Sequence, residues 1–146
     1  MSGDRPSALI KPTLDTKFHI DYSWWDRSPD DLHIYLLSHL LPEQRDELSQ
    51  ADNDGSQAVD YIDPATGEVF QLDQLKLAIQ IAAEDPNFIN AQTSLVDSVF
   101  RVFLANGNLP LNARELAERT DRPAATILRT FSTMRIYKGI RPFEQE

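Results

Sequence analysis

Residues Leu111–Phe131, LNARELAERTDRPAATILRTF, decide the fold. Asn112 followed three residues later by Glu115 is a capping box. The Asn side chain takes an orphan N–H of the first helical turn, and the Glu carboxylate reaches back to the cap's own N–H. The spacing predicts a short helix over Ala113–Thr120, with Leu116 and Ala117 turned inward and Arg114, Glu118 and Arg119 outward. Thr120-Asp121-Arg122 reads as a tight turn, with Asp121 where a left-handed residue is needed; Asp tolerates that conformation better than most. Pro123 opens a second helix through Ser132, with Ile127, Thr130 and Phe131 available to a core. A helix before these two starts at Thr93 or Ser94 and runs to Ala105 on a stripe of Val96, Val99, Phe100, Phe103 and Leu104. Asn106-Gly107-Asn108 stops it.

This arrangement of small and apolar positions resembles the helix-turn-helix of bacterial transcription regulators, winged-helix forms included. Ala117, four residues before the turn, is the small residue that lets the two helices cross closely. The resemblance covers about a third of the chain. It implies a three-helix core whose last helix enters the major groove of double-stranded DNA, where side chains of its first turn meet base edges. Those positions are Ala124, Ala125 and Thr126, followed one turn later by Arg129. Alanine can touch a thymine methyl but makes no bidentate hydrogen bond. Two residues depart from the family pattern: Arg122 stands where an apolar residue is usual, and Leu128 points outward on a free helix, which makes it a candidate partner contact.

The tail Met134–Phe143, MRIYKGIRPF, adds Arg135, Lys138 and Arg141 at every third position, interleaved with Ile136, Tyr137, Ile140 and Phe143. Arg135–Tyr137 and Ile140–Arg141 around Lys138-Gly139 make either a minimal wing or a strand that closes the core. In a wing the basic residues contact phosphates; in a strand they are ordinary surface charges. The expected DNA-binding set is therefore Arg122, Ala124, Ala125, Thr126, Arg129, Arg135, Lys138 and Arg141.

Upstream the character changes. Residues 1–100 hold 6 basic and 18 acidic side chains, whereas residues 101–146 hold 8 and 5, so different faces are suited to different partners. Pro6 and Pro12 mark residues 1–15 as a flexible arm, 16–92 form an acidic α+β region, and 93–146 the helix-turn-helix-like region with its short basic tail. Lys17–Trp25, KFHIDYSWW, alternates and reads as a strand, in which Trp24 and Trp25 face opposite ways. At most one enters the core; the other packs under the arm or anchors a partner. Ser28 caps a helix over Pro29–Leu41, apolar on most of its circumference, and Pro42 opens a polar helix through Leu48. Val59–Ile62 and Glu68–Leu72 flank Asp63–Gly67 as a β-hairpin, with Gly67 at positive φ. Asp73 caps a further helix ending near Asp85-Pro86. The N-terminal strand and the hairpin are expected to share one small antiparallel sheet packed with helices. The fold class is α+β, mainly helical.

With 146 residues, 41% hydrophobic and 25% charged, the chain is an ordinary globular protein and not a disordered one. It has no cysteine, so disulfide scaffolds, thiolate zinc sites and thiol nucleophiles are excluded, and a reducing compartment fits. There is no apolar signal-peptide core, nor a run of the ~18 apolar residues a membrane span requires, so the expected location is cytoplasmic, without membrane. Asp52-Asn53-Asp54-Gly55 has calcium-loop composition. Aligning Gly55 to that loop's glycine, however, puts Gln50 first and Tyr61 last, where carboxylates are required. His33 and His39 stand six apart, whereas zinc-binding helices use four. No phosphate-cradling glycine loop or nucleophile elbow appears. The expectation is a non-enzyme without cofactor or metal, with His19, Asp21 and Asp26 as the residues an enzymatic alternative would use. The leading reading is a small regulatory protein that binds double-stranded DNA, its acidic N-terminal region carrying a homodimer or protein contact. The alternative is a protein-interaction module on the same scaffold.

Overall fold

The computed structural model describes residues 11–50, 58–62, 67 and 69–143. In chain order the elements are β1 (Lys17–Ile20), α1 (Tyr22–Arg27), α2 (Leu32–Leu37), α3 (Pro42–Gln50), β2 (Ala58–Ile62) and β3 (Val69–Asp73). Then come α4 (Gln74–Ala83), α5 (Leu95–Ala105), β4 (Leu111–Asn112), α6 (Ala113–Thr120), α7 (Ala124–Phe131) and β5 (Ile140–Pro142). The fold is α+β and mainly helical, with small antiparallel sheets. It divides into two compact units: Met1–Pro29 with Ile89–Glu146, and Asp30–Phe88.

In the first unit β1 is the central strand of a three-stranded sheet, ordered β4-β1-β5 and antiparallel on both sides. This corrects the expectation that β1 shares a sheet with the hairpin. The reason lies in its inward side chains: Phe18 and Ile20 are 0% and 1% exposed, and the Phe18 ring lies 6.3 Å from that of Phe131 on α7. A second correction follows at the end of the strand. The Asp21 carboxylate accepts from the Ser23 N–H at 3.0 Å and Oγ–H at 2.6 Å, which caps a helix and stops the strand at Ile20. Trp24 and Trp25 therefore sit on α1 and not on opposite faces of a strand. Trp25 enters the core, its ring 6.3 Å from Phe100.

The three helices α5, α6 and α7 form as their local sequence dictates. The Ser94 hydroxyl caps α5 by accepting from the Asp97 N–H at 3.2 Å. The capping box of α6 is reciprocal, with both the Asn112–Glu115 bonds at 2.9 Å. Asp121 is left-handed, φ 56, and its N–H donates to the Ala117 carbonyl at 2.9 Å, closing α6. Pro123 accepts from the N–H groups of Thr126 and Ile127, both at 3.1 Å, which starts α7. Leu116 and Ile127 are completely buried, each stabilising the unit by roughly 1.5–3 kcal/mol. Thr130, expected in the core, is half-buried, and its hydroxyl donates back to the Thr126 carbonyl at 2.8 Å.

The loop between α5 and β4 holds β1 in place. Gly107 (φ 72) and Asn108 (φ 63) are both left-handed, and this aims the Asn108 amide at the strand. Its Oδ1 accepts from the Ile20 N–H at 2.8 Å, and its Nδ2–H donates to the Ile20 carbonyl at 2.9 Å. One side chain thus imitates a strand partner beyond the point where β4 stops pairing.

In the second unit, β2 and β3 pair from Ala58↔Asp73 to Ile62↔Val69, with Gly67 at φ 76 in the connection. α4 follows β3 directly and packs on the hairpin, burying Leu75, Ile79 and Ala82 at helical spacing. The helix expected over Pro29–Leu41 is shorter: α2 is capped by Asp31, which accepts from the Ile34 N–H at 3.3 Å, and not by Ser28. The Gln44 amide of α3 ties two elements, accepting from the Leu41 N–H at 3.1 Å and donating to the Ala78 carbonyl of α4 at 3.0 Å. The calcium-like stretch at 52–55 lies outside the described residues.

Candidate functional site

On α7 the side opposite Ile127 and Phe131 is open. Ala125 and Arg129 are exposed one turn apart, and Ala124, Thr126 and Leu128 are half-buried beside them. Arg119 and Glu118 are exposed on α6. The remaining basic residues of the expected set are engaged within the unit. Arg122 is half-buried, and its guanidinium donates to the Thr93 carbonyl just before α5, bracing the α6–α7 turn against the first helix. Arg135 is exposed at the end of α7, with its guanidinium 5.0 Å from the centre of the Tyr137 ring. Arg141 pairs with Asp21 at 3.5 Å.

The Lys138-Gly139 turn is a two-residue reversal with both residues at positive φ, 55 and 81, joining Tyr137 to Ile140, as in a type I′ turn. It is fastened down. The Gly139 carbonyl accepts from the Asp21 N–H at 2.8 Å, and the Lys138 carbonyl accepts from Trp25 Nε1–H at 3.1 Å. The Lys138 ammonium lies 5.9 Å from the Trp25 ring centre. A Cβ at Gly139 would lie 2.9 Å from the Asp21 carbonyl oxygen and 3.1 Å from Trp25 Nε1, so the turn has no room for a side chain. Trp25, a candidate partner contact by sequence, is thus an internal anchor, 5% exposed; Trp24 is half-buried, edge-on to it at 5.1 Å.

The outer face of the sheet carries a second group. His19 and Arg141 are direct cross-strand partners, and the His19 ring meets Phe143 edge-on at 5.1 Å. Desolvation by burial lowers the His19 pKa and Arg141 adds to this, outweighing the pull of Asp21. At Asp21, desolvation works upward but is outweighed by the Ser23 hydrogen bonds and the neighbouring Arg141, which hold the carboxyl below its ordinary value. His19, Asp21 and Arg141 border a shallow hollow of about 270 Å³, and Asp26 is exposed on α1 and is not among its lining. Of the enzymatic trio, two are together and the third is apart. Among the described residues no group of three or more His, Asp or Glu side chains is placed to hold a metal ion, and no helix is long and apolar enough to cross a membrane.

Sequence reasoning did not single out Asn108 or the Lys17–Phe143 pairing. The alternation of KFHI does carry part of the signal, because buried Phe18 and Ile20 send Lys17 and His19 to the other face. No family model, no curated protein and no solved structure matches this chain significantly.

Proposed function

We propose that the first unit is a helix-turn-helix module of winged-helix type that docks α7 in the major groove of double-stranded DNA. The observation that carries this reading is the open Ala125–Arg129 side of α7, held by a helical hairpin with a left-handed Asp121 turn and a reciprocal cap. Ala124, Ala125 and Thr126 would lie along base edges, with Arg129 and Arg135 meeting phosphate or base. Arg122 and Arg141 act in this reading by bracing the fold, and Lys138 by fastening the turn. Charge distribution supports it too. Residues 30–88 hold 13 acidic and 2 basic side chains, leaving 12 basic and 10 acidic in the docking unit, so the overall charge of -9 belongs to the other unit.

The test is titration of the full chain against a labelled duplex of mixed sequence over a range of salt. The expected dissociation constant is on the order of 10⁻⁴–10⁻⁶ M, the range of sequence-independent binding. It should weaken as salt rises, and the double variant Arg129→Ala/Arg135→Ala should bind more weakly with a shallower salt slope. Absence of binding at low salt would overturn the reading.

A second reading, a protein-interaction module on the same scaffold, is favoured by one specific observation. Arg122, Lys138 and Arg141 do not converge on α7 but are engaged elsewhere in the unit. Under it, half-buried Leu128 and exposed Ala125 form a docking strip, and the duplex experiment comes out negative for wild type and variant alike.

A further inference from the structure

The outer face of the β4–β1–β5 sheet is built as a small platform. Phe18, Ile20 and Ile140 point inward to the helices, so alternation turns Lys17, His19, Arg141 and Phe143 outward. His19 opposes Arg141 in the ladder, and the Phe143 N–H donates to the Lys17 carbonyl at 2.8 Å, which sets those two side by side. The four residues thus form a square with Lys17 and Arg141 on its diagonal, positions about 7–8 Å apart from which long side chains reach one group. Hollows flank Phe143 on both sides, one of about 680 Å³ toward Lys17 and Pro110, the other of about 270 Å³ toward His19 and Arg141. The ring between them is 37% exposed and held by His19 at 5.1 Å.

Among the described residues the charge left over on this platform is positive. Asp15, at its edge, pairs with Arg114, and Asp21 is taken up by Ser23 and Arg141. Arg141 uses one N–H on Asp21 at 3.5 Å, out of the five a guanidinium carries. Lys17 is exposed, and among the described residues its ammonium has no hydrogen-bond or ion-pair partner. A bare anion would leave the ring unused, and a neutral ring ligand would leave Lys17 and the N–H groups that Arg141 does not spend on Asp21 unanswered. We propose that this face binds a nucleotide unit, its base stacked on Phe143 and its phosphate bracketed by Lys17 and Arg141. A free mononucleotide and a nucleotide within a single strand share this chemistry. The face lies across the sheet from α7, so the proposal does not depend on duplex binding.

The experiment titrates the full chain by calorimetry with AMP, adenosine and inorganic phosphate separately. A labelled oligo(dA) single strand is then followed by anisotropy, with AMP as competitor. AMP is expected to bind about tenfold more tightly than adenosine or phosphate, since it alone engages both ring and cations. Phe143→Ala should weaken AMP about tenfold, the range for one lost stacking contact, with Phe143→Tyr restoring it. Lys17→Gln, an exposed substitution harmless to folding, should weaken AMP and reduce its salt dependence. Displacement of the strand by AMP identifies a single strand as an occupant; AMP binding without strand binding identifies the free nucleotide. Each supports the site. Absence of binding by both probes at low salt, phosphate binding as tightly as AMP, or binding indifferent to Phe143→Ala and Lys17→Gln would each overturn it.

Discussion

Asn108 is the residue whose replacement tests the architecture most directly. Its amide makes two hydrogen bonds, at 2.8 and 2.9 Å, to the backbone of Ile20, a residue 1% exposed in the central strand. Asn108→Gly keeps the left-handed backbone (φ 63) but removes both bonds, leaving one donor and one acceptor unsatisfied. Each such group costs about 1–3 kcal/mol, so the expected loss is roughly 2–6 kcal/mol, against a total stability of about 5–15 kcal/mol for a domain. Asn108→Ala should lose about 1 kcal/mol more, because alanine resists the left-handed region. Asn108→Asp keeps the acceptor, but at neutral pH it sets a carboxylate against the Ile20 carbonyl, so it should be no better than the Gly variant. Urea unfolding followed by tryptophan fluorescence reads these differences as midpoint shifts; for slopes of about 2 kcal/mol/M the Gly variant should move by about 1–3 M. A Gly variant within about 0.5 kcal/mol of wild type would refute the claim that this side chain completes the sheet.

Three further outcomes follow from the same geometry. Gly139→Ala should destabilise by about 2–4 kcal/mol, combining left-handed strain with displacement of Trp25 from its bond to Lys138, and the tryptophan emission should shift toward red. An unchanged melting curve would show that the turn is not fastened to α1. Asn112→Ala should cost about 1 kcal/mol by removing one half of the α6 cap, and Glu115→Ala should add less than its own single cost in the double variant, since the two act as one box. Both His19 and Asp21 hold protons less tightly in the folded state than their ordinary values, 6.5 and 3.8. Their contribution is therefore complete above those values and is lost as pH falls, first through the His19 window just below 6.5 and then through that of Asp21 below 3.8. Urea midpoints for wild type should drop between pH 7.5 and 5.5 by more than those of His19→Gln; equal drops would remove His19 as the cause.

What the chain encodes by itself is local. The capping box at Asn112 and Glu115, the left-handed Asp121, the Ser94 cap and the Gly67 hairpin are each specified by residues within a few positions of one another, so their geometry can be read without knowing the rest of the molecule. The same holds for the inward Phe18 and Ile20, because alternation in a strand is fixed by the backbone. The strand's partners are different. Nothing near Lys17–Ile20 says whether it pairs with a hairpin some 40 residues on or with β4 and β5 more than 90 residues away; burial of Phe18 against Phe131 and the Asn108 clip decide that. The cations divide in the same way. Their spacing along the tail suggests one shared surface, but tertiary contacts send Arg122 to Thr93, Lys138 to Trp25 and Arg141 to Asp21. Charge is a property of sequence; where it points depends on which distant backbone atoms and side chains the fold brings within hydrogen-bonding reach.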